Sequence, residues 1–131
     1  MIKTRDMLVV RGQTLPLTFT VKDQRGERVD LTGATAYMWI RADMKVDAVV
    51  KLASAATPGH RVGIVIADQT ADHKGEFTVT IIPSDTANLI ALGTSDPYLY
   101  DAWVVQSDGS RWPVIALSLM PLYPEATTIA P

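Results

Sequence analysis

Gly75-Glu76-Phe77-Thr78-Val79-Thr80-Ile81-Ile82 opens the stretch whose reading decides the fold. Phe77, Val79 and Ile81 share one parity, and Thr78 and Thr80 take the other. A period of two with one apolar face is the pattern of a half-buried antiparallel strand. Pro83-Ser84-Asp85-Thr86-Ala87-Asn88-Leu89-Ile90-Ala91-Leu92 follows and stops at Gly93. It reads as a short helix, with Ser84 as N-cap, Asp85 favourable in the first turn and Gly93 as the stop signal. So short a helix depends on docking Leu89 and Leu92. Two further runs, Tyr98 to Gln106 and Arg111 to Met120, are joined by Ser107-Asp108-Gly109-Ser110, whose Asp-Gly pair is a hairpin signal. Strand, helical crossover, strand, hairpin, strand is the order of one half of a β-sandwich.

Moving outward, Thr14 to Lys22 alternates cleanly, with Leu15, Leu17, Phe19 and Val21 on one face. Pro16 lacks a backbone donor, which places it at an edge or a bulge. Met7 to Val10 is a short first strand, and Asp23-Gln24-Arg25-Gly26 is a turn. In Ala34 to Ala42, Ala34, Ala36, Met38, Ile40 and Ala42 form a small apolar face; Thr35, Tyr37, Trp39 and Arg41 form the other. The reading puts the small face inside. The opposite orientation, with Tyr37 and Trp39 inward, stays open, because antibody-type sandwiches bury a tryptophan on the equivalent strand. Val46 to Leu52 is a weak strand candidate, and Arg61 to Ala67 is a strand with Val62, Ile64 and Ile66 on one face. Tyr98 to Gln106 is apolar on both faces, as in a strand covered twice or exposed at an interface. Seven or eight short strands with turns every ~8–12 residues give an all-β sandwich over residues 1–120. Residues 121–131 hold three prolines and read as an extended tail.

The totals narrow the function classes. A chain of 131 residues suits one domain that needs no disulfide or metal for stability. Cysteine is absent, so no thiolate nucleophile or zinc ribbon is possible. Twelve basic against fourteen acidic residues, with no basic stripe, point away from nucleic acid. No apolar run reaches the ~20 residues of a membrane span, and the first residues lack the apolar core of a signal peptide.

Candidate chemistry is sparse. His60 and His73 lie in polar loops, outside nucleophile-elbow or zincin spacing, and read as solvated. Asp68, Asp72 and Glu76 lack the spacing of a calcium loop. Asp85, Asp96 and Asp101 are carboxylates by type only. Asp85 suits helix capping, and Asp101 suits backbone amides or an arginine such as Arg41 or Arg111. No nucleophile–base pair is present, so no enzyme, cofactor or metal is expected. The aromatics carry more information. Tyr37, Trp39 and Trp103 have the parity opposite to the inner face, and Trp112 follows the hairpin. They either close the sandwich ends, line a subunit interface, where aromatic anchors concentrate, or form a sugar-stacking platform.

Four stretches carry a resemblance: Val10 to Asp23, Val29 to Ala36, Gly75 to Ala87, and Tyr98 to Val105 with the Asp108-Gly109 hairpin. Together they resemble the small immunoglobulin-like modules of tailed-phage structural proteins, and the N-terminal domain of phage baseplate upper proteins is similar in this pattern. The likeness runs from about Val10 to Leu119. A baseplate upper protein continues into a long further region absent from this sequence. The resemblance implies an immunoglobulin-like antiparallel β-sandwich and a virion structural role without catalysis, in tail, baseplate or neck. It also implies a homo-oligomer contacting other virion proteins, made in the host cytoplasm and located in the virion. The expected interface residues are Tyr37, Trp39, Trp103 and Tyr123. A capsid decoration protein and a carbohydrate-binding module of a host-recognition apparatus are the alternatives.

Overall fold

A computed structural model describes residues 5–70 and 72–124. Nine strands and one helical turn follow in order: β1 (Val9–Val10), β2 (Leu15–Thr20), β3 (Thr35–Arg41), β4 (Val50–Ala53), β5 (Arg61–Val62), β6 (Ile64–Ile66), β7 (Glu76–Ile81), α1 (Pro83–Thr86), β8 (Gly93–Val105) and β9 (Arg111–Tyr123). They form a six-stranded sheet, β1-β9-β8-β3-β4-β5, and a three-stranded sheet, β2-β7-β6. β2-β7-β6 has the B-E-D order of an immunoglobulin sandwich, and β9-β8-β3-β4 has the G-F-C order extended by one strand. The fold is an immunoglobulin-like β-sandwich. Its pairings are antiparallel except two: β1 runs parallel to β9, and β5 parallel to β4.

The core lies between the sheets. Phe19 and Phe77, with ring centroids 5.4 Å apart, pack from the small sheet. Met38, Ile40, Leu52 and Tyr100 are fully buried from the large one. The alternation of β2, β3 and β7 thus resolves as read: Leu17 and Phe19, Ala36, Met38 and Ile40, and Phe77, Val79 and Ile81 point inward. In β3 this leaves Tyr37 and Trp39 on the outer face, half-buried.

Near the start of β8 the Tyr98 hydroxyl accepts the Ile90 N–H at 3.0 Å, a link of the kind that closes the E–F corner of these sandwiches. Two residues on, where antibody domains carry the second disulfide cysteine, stands Tyr100. Its hydroxyl donates to the Arg5 carbonyl, and burial raises its pKa to about 12. A buried ring tied to the N-terminal segment occupies the disulfide position.

Four expectations change. The helix is four residues long, from Pro83 to Thr86, with Ile82 and not Ser84 as N-cap. Its continuation is prevented by tertiary partners: the Leu89 carbonyl accepts from Arg11, and the Ile90 N–H is held by Tyr98. Asp85 accepts the Ile82 N–H at 2.9 Å and also pairs with Arg61 through two hydrogen bonds. The run 61–67 is two strands in different sheets. Gly63 joins them: its N–H bonds Ala53 of the large sheet and its carbonyl accepts from Thr80 of the small one. β9 carries bulges opposite Tyr100–Trp103, so Val114 and Ile115 are both buried and strict alternation resumes only afterwards. Finally, β9 extends to Tyr123 because Val10 pairs with it. Residues 121–123 therefore belong to the sandwich, and residues 125–131 of the expected tail lie outside the described residues.

Candidate functional site

Three of the four singled-out aromatics meet on the outer face of the large sheet. Cross-strand register sets Tyr37 against Trp103 and Trp39 against Asp101. Such pairs place side chains of one face ~5 Å apart. The Tyr37 and Trp103 rings stack at 5.4 Å with an 18° tilt, and Trp39 meets Trp103 edge-on at 5.2 Å. Tyr37 and Trp39 are half-buried, while Trp103 retains 7% exposure under its neighbours. Tyr123 is elsewhere. It ends β9, ten residues beyond the Pro113 that faces Trp103, a separation of roughly 30 Å along a strand, and its ring lies over Gly93.

His60 completes the cluster and is not the solvated loop histidine that spacing suggested. Its Nε2 accepts the Trp39 indole N–H at 3.0 Å. The Nδ1 lies 2.9 Å from the Pro58 carbonyl. An acceptor at Nε2 fixes the tautomer with hydrogen on Nδ1, donated to that carbonyl. The ring also sits edge-on to Tyr37 at 5.5 Å. A tryptophan two strands away decides this role, which no local pattern around His60 signals.

Cations overlie the rings. Lys51 Nζ stands 4.6 Å from the Trp39 centroid, the Arg41 guanidinium 5.6 Å from the same ring, and the Arg111 guanidinium 4.7 Å from Trp103. Each such contact contributes about 0.5–1 kcal/mol where exposed. Lys51 also meets the exposed Asp47 at 3.3 Å. Asp101 sits among these groups. Burial raises its pKa above the usual carboxylate value, against the pull of Arg41 and Arg111. Its Oδ1 and the Nε of Arg41 are buried without a hydrogen-bond partner among the described residues. Further along the same face, toward Leu99, Leu117 and Leu119 of β9 are 39% and 43% exposed.

The remaining candidates are placed apart. Trp112 pairs with Val104 and packs against the core. His73 contacts Glu76, which also faces Arg28 at 3.5 Å. Among the described residues no three His, Asp or Glu side chains converge as a metal site would require. No helix among them is long and apolar enough to cross a membrane.

No family model matches the chain, and no curated protein matches it in sequence. Among solved structures, the crystal structure of ICOS in complex with ICOS-L and an anti ICOS-L VNAR domain is similar, with a TM-score of 0.46 and 10% identity. The likeness covers 95% of this chain and 56% of that one, so this chain spans little more than half the length of the protein it resembles. The fold assignment rests on strand order and register.

Proposed function

We propose that the chain is a non-enzymatic structural subunit of a tailed-phage virion, an accessory protein of tail, baseplate or neck. On this reading it assembles by burying the outer face of its large sheet against another virion protein. The observation that carries the reading is that Tyr37, Trp39 and Trp103 gather on one sheet face outside the core, a face that also carries the exposed Leu117 and Leu119. Half-exposed aromatics sharing a face with aliphatic side chains are what interface centres are made of. The assembly role, the phage setting and the virion location follow the sequence resemblance.

The sugar-platform reading fares less well. A stacking platform presents a free ring face, but Lys51 and Arg41 stand over Trp39, and Tyr37 and Arg111 over Trp103. The test is co-expression with the products of the flanking genes, followed by native mass spectrometry. A complex with a virion protein that Trp39→Ser weakens at least about tenfold, while the variant still folds by circular dichroism at the assay temperature, is the expected result. Unimpaired assembly of Trp39→Ser, or turnover of a substrate, would overturn it.

A further inference from the structure

We propose that the outer face of β4, β3, β8 and β9 receives an acidic segment of a different protein, not a second copy of this chain. The proposal rests on the assembly reading above and names the chemistry of the partner.

The argument begins with charge. The chain as a whole carries more acidic than basic residues. On this one face the balance is reversed. Arg41, Lys51 and Arg111 surround the ring cluster against two acids: Asp47 beside Lys51, and Asp101, whose burial disfavours its ionised form. The cations are also held in place. Indole rings beneath Lys51 and Arg111 restrict both side chains before any partner arrives, which lowers the ordering cost of binding. Arg111 has no carboxylate within ion-pair distance among the described residues. Lys51 has only the surface pair with Asp47, of the kind a competing acid readily exchanges.

Further along the same face, Leu117 and Leu119 offer aliphatic surface that a purely polar ligand would leave uncovered. A segment with carboxylates flanking apolar side chains satisfies both parts. A symmetric pair of copies fits less well, because each face carries more cations than acids, and juxtaposed like charges oppose docking. A homo-oligomer, if one forms, therefore uses another surface.

The experiment uses two synthetic peptides, acetyl-Glu-Leu-Glu-Leu-Glu-amide and its lysine counterpart, titrated into the ¹⁵N-labelled full chain. The indole N–H signals of Trp39 and Trp103 report the face, and Trp112, packed against the core, is the internal control. The expected result is a saturable shift of Trp39 and Trp103 by the glutamate peptide alone. It should weaken at least about tenfold between 50 and 500 mM salt, since screening acts on exposed charges, and be lost in the Lys51→Ala, Arg111→Ala variant. Equal responses to both peptides, no response to either, or concentration-dependent shifts of the same signals in the protein alone would overturn the inference. The two readings fail separately. If Lys51→Ala, Arg111→Ala assembles with its virion partner as well as the parent does, the acidic-partner inference falls and the assembly reading stands. If Trp39→Ser assembles unimpaired, the assembly reading falls whatever the peptides do.

Discussion

The two outer faces of this sandwich are built from the same strand geometry and opposite chemistry. The small sheet shows solvent a row of Pro16, Thr18, Thr78 and Thr80, with Val65 the one large apolar side chain beside Thr78, and Thr18 and Thr78 are hydrogen-bonded across the strands at 3.0 Å. The large sheet shows half-buried Tyr37 and Trp39 packed over a buried Trp103, with three cations around them. β-branched hydroxyl residues suit an exposed pleat and ask for nothing further. Stacked aromatics on an outer face leave apolar area in water that folding alone does not require to be there. The contrast separates a face that finishes the fold from one that is available to a second molecule.

Substitutions sharpen the contrast in graded steps. Trp103→Ala should be the most costly, at about 3 kcal/mol, because it removes a buried ring that supports both Tyr37 and Trp39. Urea unfolding monitored by circular dichroism measures this, and a loss under about 1 kcal/mol would mean that the cluster contributes little to the fold. His60→Ala should cost about 1 kcal/mol by stranding the Trp39 N–H, and His60→Gln should recover part of it. An unchanged Trp39 indole resonance in His60→Ala would break that assignment.

Asp101→Asn tests the charge at the centre. A carboxylate with a raised folded pKa binds its proton more tightly when folded than when unfolded, so its ionisation lowers stability as pH rises through the folded value. The penalty is absent below the ordinary value of 3.8 and present at neutral pH. The variant should therefore melt higher than the parent at pH 7 and show no such gain at pH 3. A gain of equal size at both would remove ionisation as the cause. Smallest of all, Thr18→Ala on the opposite face should shift stability by no more than about 0.5 kcal/mol and leave partner binding unchanged.

What the sequence made legible follows the same division. In β2, β3 and β7 one face meets the core and the other does not, so period-two alternation reports the strand and sorts its residues into faces. It groups Met38 and Ile40 apart from Tyr37 and Trp39 but leaves open which group of β3 is inside, which burial against Phe77 and Tyr100 decides. In β9 the bulges insert residues that pairing skips, so Val114 and Ile115 are buried in succession and alternation misleads. The helix is shorter than its propensity signals, which continue to Leu92, because Arg11 and Tyr98, distant in sequence, capture the groups that would extend it. Parity alone groups the rings of Tyr37, Trp39 and Trp103 on one face, but not Tyr123 with them. Lys51 and His60 join the cluster through the register of β4 against β3 and through a loop that precedes β5, neither of which a local pattern encodes.

Gly63 is the hinge where one strand leaves the large sheet for the small one. A methyl group on it would stand 2.7–2.8 Å from the Arg61 guanidinium, the group that grips Asp85 and the Thr80 carbonyl. Gly63→Ala must therefore displace the Arg61 guanidinium from Asp85 and the Thr80 carbonyl, freeing the backbone of β7 beside β6 at the open margin of the sheet. Loosened margins recruit foreign strands. A single carbon at this seam would thus turn a closed sandwich into a self-adhesive one, visible as turbidity on warming well below the melting point.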